Sequence, residues 1–317
     1  MTVNRVILST TDSIYENLAI EEELLKNLKA DEAIIFLWQS EKTIVLGNNQ
    51  CAYLECNISY CEENQINIAR RLSGGGCVYQ DLGNLNYSFL YDKGNRLESE
   101  RQKLEQCFLD GILEALNSYQ VKHIEHVNND LLVGHKKFSG IAYYEEDNKR
   151  ILHGTLLVDI NMEHLAHSLK VNVKKLKFNG VESVRARVVN LKEFNPMIQI
   201  PGLKKAITEI FLERFAIEKE EYIEGVKDKN YLVKYKQPFW IFGESPKCSL
   251  IFEEKTKKGL FQFVFFVEEE MVEKPKVYSD ARIQYDFTDF LRRIEGIKYK
   301  EQLLQEAWEE ELTKILD

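Results

Sequence analysis

The segment Arg70–Asn84, RRLSGGGCVYQDLGN, constrains the chain more than any other stretch. Three consecutive glycines permit backbone conformations closed to other residues and let a ligand approach the main chain. They run into the β-prone CVYQ, Cys77 to Gln80, and not into a helix. A Walker loop ends in Gly-Lys-Ser/Thr, and a dinucleotide fingerprint spells Gly-x-Gly-x-x-Gly at the start of a helix. Neither pattern is present, so the segment belongs to neither fold. Arg70 and Arg71 stand close before the glycines, and a guanidinium pairs with phosphate or carboxylate through a planar fork. The local chemistry points to an anionic ligand on a glycine loop. The alternative is a glycine-rich hairpin with two surface arginines.

The rest of the chain reads as an α+β fold with mixed or antiparallel sheets and flanking helices. Ser13 followed by Glu16 fits a capping box, and Leu18, Ile20, Leu24, Leu25 and Leu28 give that first helix an apolar side. Short β-rich runs follow: AIIFLW, TIVLG, INIARR and LNYSFLY. The spacing of Leu104, Phe108, Ile112, Leu113 and Leu116 predicts a helix over 98–118. Strand-like runs resume at DLLVG, KKFSGIAYY and RILHGTLLVDI, and further helices are expected near 162–169 and 203–215. Hairpin-like strands with separate helices argue against a strict βαβ alternation. A boundary is expected near Pro238–Pro246, giving a catalytic domain over 1–244 and a small α+β accessory domain over 245–317. Within the latter, a short strand pair and a helix near 299–316 are expected, with the charged VEEEMVEKPK read as a solvated turn.

Composition narrows the partners. The chain has 317 residues, 44% hydrophobic and 29% charged, with a net charge of −9. There is no basic footprint for nucleic acid. The start, MTVNRVILST, lacks the pattern of a secretory signal, and the densest apolar run, GLFQFVFFV, is too short to span a bilayer. Six cysteines with no Cys-x-x-Cys pair read most simply as reduced thiols in the cytoplasm.

Two further stretches change the weight of the glycine loop. Lys137 precedes a Ser139-Gly140 pair in NNDLLVGHKKFSGIAYY, and His153 and Thr155 lie in the strand-like ILHGTLLVD. Each has an ordinary explanation alone: a solvated lysine, a satisfied structural histidine. Their order and spacing together with RRLSGGG are harder to reach by chance.

Taken together, RRLSGGGCVYQDLGNLNYSF, NDLLVGHKKFSGIAYY, HGTLLVDINMEHL and KFNGVESVRARVVNL resemble the lipoate–protein ligase family, as do YENLAIEEELL and LWQSEKTIVLGNNQ. The resemblance covers most of residues 10–195. It implies a catalytic domain akin to biotin ligases, with a C-terminal accessory domain. It implies a two-step reaction in which lipoate and ATP give lipoyl-adenylate and pyrophosphate, and the adenylate then acylates a carrier lysine. ATP and Mg²⁺ are implied as co-substrates, with lipoate as substrate, no tightly bound cofactor and no protein metal site. The implied acceptors are lipoyl domains of 2-oxoacid dehydrogenases, the glycine-cleavage H protein or an H-like carrier.

Carried onto this sequence, the resemblance makes Lys137 the catalytic lysine beside the carboxylate and α-phosphate. It places Arg71 on phosphate. Ser73 and the backbone of Gly74, Gly75, Gly76, Cys77, Val78 and Tyr79 would line the adenylate and lipoyl pocket. Gln80, Asn84, Ser139, Gly140, His153 and Thr155 match further pocket positions. Lys177, Gly180, Val181, Ser183, Val184 and Arg185 match a loop that closes over the adenylate, with Gly180 as its hinge. Two positions depart from the family pattern: Gln80 stands where a His is usual, and Cys77 where an Ala is usual. The glycines expected around KPKVYSDARI are sparse. A related ATP-independent octanoyl or lipoyl transferase of the same fold is the alternative. That chemistry uses a cysteine nucleophile, and the corresponding segment here reads HVNND, with no cysteine.

Overall fold

The computed structural model describes residues 3–170, 187–243, 249–279 and 285–316. Its largest element is an eight-stranded sheet built from β1 (Arg5–Ser9), β2 (Ala33–Trp38), β6 (Asn84–Asp92), β7 (Glu125–Val127), β8 (Asp130–Val133), β9 (Lys136–Glu146), β10 (Lys149–Leu157) and β11 (Glu221–Ile223). The spatial order is β11-β1-β2-β6-β10-β9-β8-β7. β1 pairs in parallel with β2 and β11, and every pairing from β2 outward to β7 is antiparallel. A strict βαβ winding is absent, as the sequence predicts.

The unbroken apolar run AIIFLW follows from position. β2 lies inside the sheet with both faces covered, so period-two alternation sends apolar residues to two cores. Ala33, Ile35 and Leu37 join one core with Phe89, Phe108 and Phe211. Ile34, Phe36 and Trp38 join the other with Leu18, Ile20 and Leu25. The first face is covered by the helices Glu98–Ser118 and Ile200–Arg214, whose Phe108 and Phe211 rings stack at 5.4 Å. The second is covered by the helix Ile14–Lys26, capped by Ser13 accepting from the Glu16 N–H.

A second, three-stranded sheet orders β4 (Asn67–Arg70), β3 (Thr43–Leu46) and β5 (Val78–Gln80), with β3 central. The glycine triplet is the connection from β4 to β5. Neither arginine before it lies on the surface: Arg70 is 0% and Arg71 7% exposed. Arg70 clamps two chain segments. Its Nη1 donates to the carbonyls of Gly47, Asn48 and Gln50, while Nε and Nη2 donate to those of Trp240 and Ile241. The Trp240 indole returns a bond to the Arg70 carbonyl at 2.9 Å.

The C-terminal part has its own core. β12 (Ser249–Lys255), β13 (Leu260–Glu268) and β14 (Met271–Ser279) form an antiparallel sheet against the helices Thr288–Ile294 and Glu301–Leu316. Phe261, Phe263, Phe265, Phe290 and Trp308 are buried between them. The expected strand pair is therefore three strands, and VEEEMVEKPK is not a turn. Only Glu269 and Glu270 turn, both with positive φ (50° and 65°), and the chain continues as β14. Pro275 is accommodated because β14 is an edge strand, where a missing donor leaves no gap in the ladder. Tyr53 joins this core from the catalytic side, its ring 4.8 Å from Tyr299, and Lys170 Nζ meets Glu301 at 2.5 Å. The expectation of uniformly reduced thiols also changes. Cys51, buried in the same cluster, is disulfide-bonded, while Cys56, Cys61, Cys77 and Cys107 are free.

The clamp makes a measurable demand. Arg70→Lys keeps the charge but cannot reach carbonyls on two segments at once, and each stranded buried acceptor costs about 1–3 kcal/mol. We expect a loss of at least about 3 kcal/mol, measured as a lower urea midpoint; an unchanged midpoint would remove Arg70 from the fold's supports.

Candidate active site

A cavity of about 140 Å³ opens where the glycine loop faces the main sheet. Sheet register builds its floor. β10 pairs His153 with Ser88 and Thr155 with Asn86 of β6, β2 pairs Phe36 with Ser88 and Trp38 with Asn86, and β9 sets Ala142 beside His153. One row across four strands therefore carries Phe36, Ser88, His153 and Ala142, and a neighbouring row carries Trp38, Asn86 and Thr155. Leu18, Trp38, Val45, Val78, Ile141 and Ala142 make one part of the lining apolar. Arg71, Gln80, Asn86, Lys137 and Thr155 supply polar groups. Such a site suits a ligand with an aliphatic body and an anionic head.

The roof is the glycine loop, and Arg71 holds it from inside. Nη2 of Arg71 donates to the carbonyls of Gly74 (2.6 Å) and Gly76 (2.9 Å), Nη1 to that of Val45 and Nε to Ser73 Oγ. With the carbonyls turned toward Arg71, the amides of Gly74, Gly75, Gly76 and Cys77 donate no hydrogen bond among the described residues. Gly75 has φ +89°, the left-handed step that lets consecutive N–H groups converge. The loop is thus a ready acceptor of anionic oxygens. Burial pulls the Arg71 guanidinium down to about 10, although Cys77 and Glu21 oppose the shift.

Behind Arg71 runs a polar chain that sequence reasoning missed in part. Ser73 Oγ lies 2.6 Å from His153 Nε2, and His153 Nδ1 lies 3.0 Å from Glu21 Oε1. Ser88 Oγ donates to the same carboxylate at 2.5 Å and accepts from the Trp38 indole at 3.2 Å. Burial alone would raise the Glu21 carboxyl, but His153, Ser88 and Arg71 together hold it below its ordinary value. Glu21 thus meets His153 Nδ1, His153 Nε2 meets the Ser73 hydroxyl, and Ser73 Oγ accepts from Arg71 Nε. The charge of Glu21 among apolar neighbours in LAIEEELL marked only a helix, not which of three buried glutamates meets His153.

Lys137 stands across the cavity. β8 and β9 slip register between Leu131 and Leu132, so that Leu131 faces Ser139 and Leu132 faces Lys137. Phe138 is the extra residue of a bulge, a device that re-aims side chains. Lys137 Nζ pairs with Asp130 Oδ1 at 2.7 Å. A Cβ added at Gly140 would lie 2.8 Å from that Nζ, so Gly140 gives the lysine its berth. The Lys137 backbone also receives Arg187–Val189: its N–H donates to the Arg187 carbonyl and its carbonyl accepts from Val189.

The expected residues sort by these positions. Arg71, Gly75, Gly76, Cys77, Val78, Gln80, Lys137, Gly140, His153 and Thr155 line the cavity. Ser73 and Gly74 stand behind it as described. Tyr79 donates to Asp81, and Ser139 bonds the Tyr87 hydroxyl, both outside the lining. Asn84 donates to Asn86, which does line the cavity, and its Oδ1 is buried without a partner. Arg71, expected on phosphate, spends its donors on the loop. Lys177, Gly180, Val181, Ser183, Val184 and Arg185 lie outside the described residues. Leu18, Trp38, Asn86 and Asp130 were not expected; only three-dimensional register brings them in.

Comparison with known proteins decides the family. A family model described as the lipoyl protein ligase A/B catalytic domain matches residues 13–212, and one described as the bacterial lipoate protein ligase C-terminus matches 245–315. The chain belongs to the lipoate–protein ligase family. The ligase is 35% identical to lipoate–protein ligase 1 of Staphylococcus aureus over 93% of this chain and 90% of that protein. It is 31% identical to lipoate-protein ligase A of Bdellovibrio bacteriovorus over 96% and 91%. Among solved structures it resembles P. falciparum LipL1 in complex with lipoate, with a TM-score of 0.63, 26% identity and coverage of 96% and 94%. A bi-partite ligase of Thermoplasma acidophilum, studied with its E2 lipoyl domain, gives a TM-score of 0.66 at 25% identity over 78% and 99%.

Two tests follow from the ligase's loop and relay. A Cβ at Gly76 meets nothing within 4 Å, whereas Gly75 has positive φ and Arg71 Nη2 3.1 Å away. Gly76→Val should therefore fold with nearly unchanged stability yet lose ligand binding, while Gly75→Val should also lose about 1–2 kcal/mol; thermal unfolding and calorimetric titration separate the two, and an active Gly76→Val would make the loop a mere turn. Because folded Glu21 titrates below an ordinary carboxyl (about 4.3), its contribution is complete above that value and fades as pH falls through its lower folded value. Urea midpoints of the wild type should thus fall more steeply on acidification than those of Glu21→Gln; parallel profiles would count against the relay.

Proposed function

We propose that this ligase activates lipoate with ATP to lipoyl-adenylate, releasing pyrophosphate, and then passes the lipoyl group to a lysine of a carrier domain. The observation that carries the reading is the glycine loop at a half-apolar cavity: Gly75, Gly76 and Cys77 line it, their amides donate no hydrogen bond among the described residues, and Lys137 stands at its polar side. A carboxylate is a poor acyl donor because its leaving group would be an oxide. Attack of its oxygen on the α-phosphorus, with departure of pyrophosphate, converts that oxide into AMP. Attack by the neutral carrier lysine on the acyl carbon then expels AMP, and the nitrogen loses a proton.

Both steps gather negative charge, so catalysis rests on positioned donors. The loop amides receive phosphoryl oxygens. Lys137 leaves Asp130 to bridge the carboxylate and α-phosphate, and stabilises oxyanion charge in each step. Arg71 serves indirectly, keeping the loop carbonyls turned away and adding buried positive charge. The apolar wall of Leu18, Trp38 and Ile141 takes the aliphatic chain. Mg²⁺ would enter with ATP and would neutralise phosphate oxygens; Asn84 Oδ1, buried without a partner among the described residues beside the cavity-lining Asn86, is a protein oxygen that would be available to it.

Solved relatives support the substrates: LipL1 was obtained with lipoate, and a lipoate-protein ligase A with ATP. The T. acidophilum ligase, paired with its E2 lipoyl domain, supports lipoyl domains of 2-oxoacid dehydrogenases as acceptors, with H-type carriers as the second class. We take the reaction to run in the cytoplasm, a compartment that supplies ATP.

Lys137→Ala should lower pyrophosphate release by roughly 10²–10³-fold without changing thermal stability, whereas Lys136→Ala should be nearly silent. Wild-type turnover in Lys137→Ala would reject its role. Acyl transfer without pyrophosphate release would favour the ATP-independent transferase.

A further inference from the structure

Three free thiols meet at one wall of the cavity. Cys77 follows the glycine triplet directly, is half-buried and lines the cavity. Cys56, fully buried at the end of the short helix Ala52–Glu55, belongs to the hydrophobic cluster against which Cys77 packs, and its thiol feels that of Cys77. Cys61, on the helix Ile58–Glu63, belongs to the same packed cluster. No step of the ligase reaction uses any of them.

We propose that Cys77 and Cys56 form a reversible disulfide, a modification site through which a hydroperoxide switches the glycine loop off. Cys77 is the sulfur a solute in the cavity meets first. Its thiolate attacks the peroxide oxygen, the O–O bond breaks, and the leaving oxide takes a proton to depart as water or an alcohol. The resulting sulfenic acid is then displaced by the Cys56 sulfur, which loses its proton as the S–S bond forms and water leaves. In total, two thiols and one hydroperoxide give one disulfide, one alcohol or water, and a further water. The two sulfurs lose two electrons, and the O–O bond gains them.

The division of labour agrees with the surroundings. The neighbouring Cys77 thiol and then burial push the Cys56 thiol well up, so Cys56 keeps its proton until the disulfide forms. The attacking sulfur is then the one that the cavity exposes, Cys77, while buried Cys56 resolves. Cys61 is pushed up to about 12, burial being the main cause, and stays protonated. A disulfide fixes two sulfurs at about 2.05 Å, closer than two non-bonded thiols. Bond formation therefore draws Cys77 toward the Ala52–Glu55 helix. Gly76, its chain neighbour, is tied by its carbonyl to Arg71, so the strain falls on the loop amides. Displacement of such donors by about 1 Å costs on the order of 10²-fold in rate.

The test reads the bond and the activity separately, resting on the ligase reading only for the second. The full-length protein is treated with hydrogen peroxide, digested without reduction and mapped by peptide mass. Lipoyl-adenylate formation is followed before treatment, after it, and after dithiothreitol. We expect a Cys56–Cys77 linked peptide, a loss on the order of 10²-fold, and recovery on reduction. Cys56→Ser should retain basal activity, form no link and accumulate a dimedone-reactive Cys77, while Cys61→Ser should behave as wild type. Absence of the linked peptide, a link to Cys61 instead, or full activity in the linked protein would each overturn the proposal. A reduced enzyme that makes no adenylate, yet still forms the link, would overturn the ligase reading and leave the disulfide standing.

Discussion

The site depends on one buried cation facing inward. Left to itself, a run of three glycines samples many conformations and fixes none. Arg71 removes that freedom by binding the carbonyls of Gly74 and Gly76, together with that of Val45 on β3. Each captured carbonyl leaves the N–H on the opposite edge of its peptide, that of Gly75 and that of Cys77, free of Arg71, and both residues line the cavity. A buried guanidinium is costly to desolvate, and Arg71 is compensated at a distance through Ser73 and His153 to Glu21. The helix Ile14–Lys26, the floor strand β10 and the loop are thereby joined in one electrostatic unit. Removing any member strands another buried polar group.

Arg70 and Arg71 show how strand geometry divides identical residues. Successive side chains at a strand end point to opposite sides. Arg70 turns away from the cavity and gathers carbonyls from Gly47–Gln50 and from Trp240–Ile241. The residue beside the ligand loop thus also fixes the Phe239–Gly243 segment against β4. Paired guanidines at the mouth of a glycine loop looked like two ligand groups in the sequence. In the fold, both act first on backbone.

Much of the architecture was legible because local patterns agreed with their context. The AIIFLW run, the capping Ser13 and the 98–118 periodicity each became the expected element. What stayed hidden was non-local. Nothing along the chain tells that Ser88 stands beside His153, or that Trp38, Asn86 and Thr155 share a row; antiparallel register alone decides this. Glu21 was hidden because a helix of three successive glutamates does not reveal which of them faces a histidine 132 positions away. The stretch after Val267 misled for a different reason. Its charges belong to the exposed edge of a hairpin, and a two-residue turn with positive φ at both glutamates carries none of the glycine or asparagine that normally announces one.

Gln80 shows how a departure from a family pattern can be absorbed. Its Oε1 accepts from Asn86 Nδ2 at 2.6 Å and from Ser40 Oγ at 3.3 Å, which fixes the orientation of the amide. Gln80 lines the cavity, and its nitrogen donates no hydrogen bond among the described residues. A histidine there would alternate between donor and acceptor with protonation, and near neutral pH it would carry a variable charge. The glutamine supplies a donor whose state does not change with pH. The electrostatic work in this half of the cavity therefore falls to Lys137. The substitution removes a titrating group without removing a hydrogen bond, so the loop amides and the lysine remain the groups that meet developing charge.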